Sequence, residues 1–255
     1  MIPSIKRSIL GVSLLLSFAA SSYAQLLSVD FNSINNAPPS PTLTGFQAFN
    51  IDRAVNAART ASFTASDSSI VTVILPNGAT SSRDRGAVAG TGSFTYSDLY
   101  RDLAVQIAYP SPAAGGATPT LAAVNAVTSL KLTGLSLSTD YTIRLWSVNP
   151  GNDNNSVFEW FNNTPQTFTM QGSEASLGTI TNKSTPAPTS NTDYSVFGTV
   201  RTNQSGELYF RHSASVGTGS LNGFELTAIP EPSTVMALVV GGALVLVVHR
   251  RRTAV

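Results

Sequence analysis

In "YTIRLWSV", residues 141–148, Tyr141, Ile143, Leu145 and Ser147 fall on one side of an alternating pattern, and Thr142, Arg144, Trp146 and Val148 on the other. That two-residue period is the signature of a β-strand. Neither side is purely polar, which predicts a strand at the centre of a sheet. "GELYFRHS" alternates less cleanly, with Leu208 and Phe210 opposite Tyr209 and Arg211. Further strand-like runs are Leu26 to Phe31, Phe46 to Ile51, Ile70 to Leu75, Ser129 to Leu132, Val157 to Phe161, Thr167 to Met170, Tyr194 to Arg201 and Gly223 to Ile229. Turn signals separate them, among them Pro76-Asn77-Gly78, Pro150-Gly151-Asn152-Asp153 and Gln204-Ser205-Gly206. Many short strands with regular turns predict an all-β body, a β-sandwich or jelly roll. One short helix is expected at Asp98 to Ala104, capped by Ser97, with Leu99 and Leu103 sharing a face. The stretches 37–42, 111–120 and 185–192 are rich in Pro, Ala, Ser and Thr and read as exposed loops.

Both ends depart from this pattern. Met1 to Ala24 has a basic start at Lys6 and Arg7, an apolar run from Ile9 to Ala20 and the small-residue ending Ser22-Tyr23-Ala24. This is the layout of a cleavable secretory signal helix, with cleavage expected between Ala24 and Gln25. At the other end, Val235 to Val248 is an uninterrupted set of apolar residues and glycines, followed by His249, Arg250, Arg251 and Arg252. A helix of roughly sixteen residues covers about 24 Å, short of the ~30 Å hydrocarbon slab. The charge pattern decides for a membrane helix, because a core element does not normally run into three arginines, whereas a membrane helix snorkels them into the headgroups. The positive flank orients that helix with its C-terminus in the cytoplasm and the body outside the inner membrane.

Pro230-Glu231-Pro232, one spanning segment, then Arg250, Arg251 and Arg252, together with an N-terminal signal, resemble the PEP-CTERM sorting signal of Gram-negative bacteria. The resemblance covers residues 230–255 only and says nothing of the body. It implies processing by an exosortase near the Pro-Glu-Pro triplet, transient anchoring in the inner membrane, release to the cell surface or extracellular matrix, and a link with exopolysaccharide. Two prolines lock φ and keep the peptide extended beside the membrane, where an enzyme can grip it. The expected organisation is thus a signal peptide at 1–24, a β-sandwich ectodomain at 25–229 and a sorting signal at 230–255.

Composition narrows what the body does. Between Gln25 and Ile229 there are ten Lys and Arg against thirteen Asp and Glu, so the whole-chain charge of +1 comes from the two ends. That balance supports no nucleic-acid partner. Cysteine is absent, which removes disulfides, thiolate metal sites and Cys nucleophiles together. His212 is the one histidine left once the tail is set aside, and no Gly-x-Ser-x-Gly elbow accompanies it. A multi-histidine metal site is excluded by the count.

The remaining chemistry is carboxylate and aromatic. Glu159 beside Trp160 in "VFEWF" is the most attractive single acid, although adjacent strand positions face opposite ways and no second acid follows from spacing. Arg83, Asp84 and Arg85, with Asp98, Arg101 and Asp102, form either a bidentate ion-pair network or a loop-bracing surface cluster. "NPGNDNN" gathers oxygen-bearing side chains at a turn, a plain Asn-rich turn or a weak calcium candidate at Asp153. As a sugar-binding rim it offers Asn152 and Asp153, flanked by Trp146 and Trp160 as stacking faces; the alternative for such tryptophans is the core. The expected function is an exported surface or matrix protein without catalytic activity or cofactor, associated with exopolysaccharide. The alternatives are a carbohydrate-binding module and a glycan hydrolase.

Overall fold

The computed structural model describes residues 25–34, 39–52, 59–75, 81–107, 109–110, 128–148, 155–161, 175–181, 187–214 and 218–229. The signal segment 1–24, the sorting segment 230–255, Asn152, Asp153 and the strand expected at 167–170 lie outside them. Among the described residues no helix is long and apolar enough to cross a membrane.

In chain order the elements are β1 (Gln25–Ser33), β2 (Gln47–Ile51), β3 (Arg59–Thr64), β4 (Ile70–Leu75), β5 (Ser81–Asp84), α1 (Ser97–Arg101), β6 (Asp102–Ile107), β7 (Tyr109–Pro110), β8 (Thr128–Thr133), β9 (Asp140–Trp146), β10 (Asn155–Phe161), β11 (Ala175–Thr181), β12 (Ser195–Arg201), β13 (Leu208–Ala214), β14 (Thr218–Leu221) and β15 (Gly223–Ala228). The chain is all-β with sandwich-like sheets. One sheet has the order β12-β9-β15-β1-β2, a second the order β11-β10-β13-β8-β4-β3 with β7 beside β13, and a small third sheet the order β14-β6-β5.

Two-residue periodicity builds the core. Tyr141, Ile143 and Leu145 of β9, Phe224 and Leu226 of β15, Leu27, Val29 and Phe31 of β1, and Val196 and Val200 of β12 form the inner layer of the first sheet. They pack with Val71, Val73 and Leu75 of β4, Leu130 and Leu132 of β8, and Leu208 and Phe210 of β13 in the same buried cluster. Each such side chain taken from water stabilises the fold by about 1.5–3 kcal/mol. As expected, β9 lies inside its sheet, paired with β12 on one side and β15 on the other. At one margin the sheets draw close enough that a Cβ on Gly198 would stand 2.6 Å from Leu177 Cδ2.

The helix is shorter than expected and differently capped. It ends at Arg101 because Asp102 turns extended, with φ −102° and ψ 144°, and starts β6 opposite Asp84 of β5. Ser97 lies inside the helix; the capping position is Tyr96, whose side chain makes no capping hydrogen bond. Leu99 and Leu103 are both fully buried, on two different elements.

Candidate functional site

Register carries side chains across the outer face of the first sheet in rows. Phe197 of β12 lies opposite Arg144 of β9, Arg144 opposite Glu225 of β15, and Glu225 opposite Ser28 of β1. The next row is Ser195, Trp146, Gly223, Asp30. Because inward and outward positions alternate, the same strands that bury Leu145 and Phe224 turn these residues the other way.

The Trp146 row is covered. Leu43, Leu99, Tyr100, Trp146 and Val148 form a second buried cluster, with Phe46, Val88, Phe94, Tyr96 and Tyr194 packed against it. Phe46 and Tyr96 stand 6.1 and 5.7 Å from the Trp146 ring, and its Nε1–H donates to the Asn191 carbonyl at 2.8 Å. α1 docks closely here, since a Cβ on Gly223 would meet Leu99 Cδ1 at 2.6 Å and the Val29 carbonyl oxygen at 2.5 Å. The expectation that Trp146 offers a stacking face to a glycan is therefore corrected: it is 1% exposed and anchors the cover. The Trp160 backbone lies in the other large sheet, opposite Ala175 and Phe210, and its side chain is outside the described residues. Glu159 and His212 belong to that sheet too, the first opposite Arg211 and the second opposite Phe158.

The adjacent row stays accessible. Phe197 is 54% exposed, and the Arg144 guanidinium lies 4.9 Å from its ring centroid and 5.9 Å from that of Trp146. Arg144 Nη1 donates to Ser195 Oγ at 2.9 Å, which fixes the guanidinium above the sheet. Beside it the Tyr96 hydroxyl donates to Glu225 Oε1 at 3.3 Å. Burial, and then the charge of Glu225, push the Tyr96 phenol up to about 12, so it remains a donor. Burial also raises Glu225, against the opposing pull of Tyr96 and Arg144. Gln25 Nε2 donates to Ser28 Oγ at the far end of the row. The arrangement offers one open aromatic face next to a fixed cation, a hydroxyl and a carboxyl. Such a strip can stack a sugar ring and exchange hydrogen bonds with its hydroxyls. The row carries one carboxyl, where glycoside hydrolysis asks for two.

Phe197, Arg144, Glu225 and Tyr96 were not singled out as a group from the sequence. The signal was there in part: alternation in "SVFGTVR" sends Val196 and Val200 inward and leaves Phe197 outside.

Behind the Asp30 row lies a buried polar layer, where β1 meets β5 and β6 of the third sheet. Asp30 Oδ2 accepts from the Leu43 amide at 2.8 Å. The Asn32 amide, turned to donate, reaches the Asp30 carboxylate at 3.0 and 3.2 Å and accepts from the Thr42 hydroxyl at 2.6 Å. The Ser33 and Ser82 hydroxyls are 3.1 Å apart, Ser82 Oγ donates to the Ile51 carbonyl, and Ser40 Oγ donates to the Ser33 carbonyl. Asn222 clamps the layer to the first sheet, donating to the Asp102 carbonyl at 2.6 Å and accepting from the Val148 amide at 2.6 Å. At its edge Arg101 grips Asp84 through Nε at 3.0 Å and Nη2 at 2.6 Å, tying α1 to β5; this is the bidentate form of the expected Arg–Asp cluster. Burial raises Asp30 to about 8 and Asp102 to about 7, in each case as the largest cause.

No family model and no curated protein matches the chain. Among solved structures it is similar to Bacteroides uniformis β-glucuronidase 2 covalently bound to cyclophellitol-6-carboxylate aziridine, at 12% identity and a TM-score of 0.32, over 72% of this chain and 20% of that one. It is also similar to the K1 cleaved adhesin domain of Lys-gingipain from Porphyromonas gingivalis W83, at 15% identity and a TM-score of 0.30, over 68% and 99%. The chain thus spans about a fifth of the glucuronidase's length.

Proposed function

We propose that this chain is an exported surface or extracellular-matrix protein whose jelly-roll body contacts polysaccharide through the outer face of its five-stranded sheet, without catalysing a reaction. The observation that carries the contact is the row Phe197, Arg144, Glu225, in which a half-exposed aromatic ring sits beside fixed polar groups. A sugar's C–H face can stack on such a ring while its hydroxyls pair with Arg144 and Glu225. Export rests on the sequence of the two ends: a cleavable signal helix at 1–24, and a Pro-Glu-Pro triplet, single membrane helix and arginine cluster at 230–255 that an exosortase would process. The described strands run from Gln25 to Ala228, within the stretch between the two proposed signals.

Affinity electrophoresis of the purified chain in gels cast with surface polysaccharides tests the contact. Retardation by at least one polysaccharide, lost in Phe197→Ala, is expected; equal mobility of wild type and variant in every gel would remove the proposed face. Protease added to intact cells tests export, with digestion of the body expected and full protection counting against it.

A further inference from the structure

Turns from both large sheets gather at one end of the sandwich. Register places there the close of β3 with the opening of β4, Thr64 opposite Ile70, and the close of β12 with the opening of β9, Arg201 opposite Asp140. The close of β8 and the opening of β13 join them, Leu132 opposite Leu208. Both limits of the body leave from this end. Gln25 pairs with Thr227, its carbonyl accepts from Ser66 Oγ in the 65–69 turn, and the Ile229 amide donates to the Asp140 carbonyl.

The same end presents apolar side chains to water. Leu137 is 63% exposed and Ile70 55%. Neither hangs on a loose tip. Around Leu137 the amide of Leu135 donates to the Gly206 carbonyl, that of Ser136 to the Tyr141 hydroxyl, that of Ser138 to the Asn203 carbonyl and that of Thr139 to Thr202 Oγ1. Ser138 takes a left-handed φ of 47° to complete the turn. The start of the same loop presses on β4, since a Cβ on Gly134 would run into the Ile70 carbonyl oxygen. Charge beside these residues is nearly cancelled: Arg201 pairs with Asp140 at 2.8 Å and Lys131 with Glu207 at 2.9 Å, which leaves Asp67, hydrogen-bonded to Ser69.

We propose that this is the membrane-facing end of the anchored chain, and that Leu137 and Ile70 enter the surface of the bilayer that receives residues 235–248. The contact rests on the membrane helix proposed for that segment. Chain length then limits where the body can stand. Six residue steps separate Ile229 from Val235, and an extended chain gains at most ~3.5 Å per step, so the Ile229 end lies within about 20 Å of the apolar segment. Transfer of a leucine and an isoleucine from water into the acyl boundary is favourable, and turns already held in place spend little entropy on it. The lipid is zwitterionic. Among the described residues of these turns the cations are paired and one acid is left over, so anionic headgroups find no attraction. Two apolar side chains do not anchor a protein by themselves; they set the orientation of a body that the terminal segment already tethers. The Phe197 row lies on the outer face of the first sheet and not among these turns, so the membrane contact is separate from that to polysaccharide.

The test uses the full chain in phosphatidylcholine vesicles. Cysteine is absent from the sequence, so each of Leu137→Cys, Ile70→Cys and Thr192→Cys carries a nitrobenzoxadiazole label at one place. Thr192 precedes β12 and lies beyond the opposite end of β9, about 20 Å along the strand. Labels at 137 and 70 are expected to shift to the blue and to be quenched by spin-labelled phosphatidylcholine, while the label at 192 is quenched by iodide alone. Leu137→Asp added to the Ile70→Cys protein is expected to abolish lipid quenching there. A chain that floats with the vesicles while both labels at this end stay open to iodide overturns the contact and leaves the membrane helix standing. A chain that does not float overturns both. A blue shift without lipid quenching overturns the contact as well, because it marks a second copy of the chain covering the end.

Discussion

The guanidinium of Arg144 lies over the ring of Phe197, 4.9 Å from its centroid, the two residues standing directly opposite each other on β9 and β12. Cross-strand pairs of this kind stabilise a sheet by only about 0.2–1 kcal/mol. The pair's worth lies in holding a charge against a half-exposed ring. Phe197→Ala is therefore expected to change unfolding free energy by less than about 1 kcal/mol in a urea titration, while abolishing retention by polysaccharide. A variant that unfolds early would show instead that the ring is structural.

Trp146 behaves in the opposite way. Its indole is buried among Phe46, Tyr96 and the Leu99 cluster and donates to the Asn191 carbonyl. Trp146→Ala is expected to cost about 3–5 kcal/mol in a denaturant titration, through the cavity and the lost hydrogen bond to Asn191. Folded Trp146→Phe should keep its polysaccharide retention, because the indole contributes support and not contact.

Acid stability follows from the buried aspartates. Burial places the folded-state values of Asp30 and Asp102 at about 8 and about 7, above the 3.8 of a free side chain. Between those limits the folded chain holds protons that the unfolded chain has released, so stability falls as pH rises from about 4 to about 8 and is level above. Below about pH 4 the hydrogen-bonded Asp67 and Asp193, whose values are lowered, reverse the trend. Melting curves should show the temperature dropping between pH 5 and pH 8. Asp30→Asn combined with Asp102→Asn should flatten that slope; a melting temperature that climbs over the interval contradicts the assignment.

Two glycines with left-handed backbones separate strain from crowding. Gly206, at φ +69°, would place a Cβ 2.1 Å from the Leu135 carbonyl oxygen, whereas Gly45, at φ +90°, has nothing within 4 Å. Gly45→Ala is expected to cost about 1–2 kcal/mol, from backbone conformation alone. Gly206→Ala should cost more, because a main-chain carbonyl has to move as well. Paired urea titrations decide it.

Apolar alternation made much of the sandwich legible in the sequence. Ile70 to Leu75 is β4 to the residue, and the inward set of β9 is the one that periodicity predicts. What stayed hidden are strands whose neighbours are not apolar. β3 has Phe63 as its one buried large side chain and sits at a sheet edge, so its period is thin. β5 reads Ser-Ser-Arg-Asp and β14 Thr-Gly-Ser-Leu; both are edges of the small sheet that faces the polar layer. The same cause concealed Asp30 and Asp102. A charged residue in an alternating run is ordinarily assigned to solvent, and nothing local announces that another sheet closes over it. The accessible row was hidden for a related reason: Phe197, Arg144 and Glu225 are far apart in sequence and meet only through the register of three strands.

That register carries a further consequence, for the order in which the protein can be completed. β15 is inserted between β9 and β1, joining residues 223–228 to a strand that begins at Gln25, and Ile229 donates its amide to the Asp140 carbonyl immediately afterwards. Until that last segment is threaded in, the five-stranded layer exists as two halves with open edges, and pairing across some two hundred residues is slow. A chain released amino end first would thus stay unfinished until Ala228 was free. Proteolytic trimming at any point before Ile229 would reopen the seam; trimming after it would leave the sheet whole.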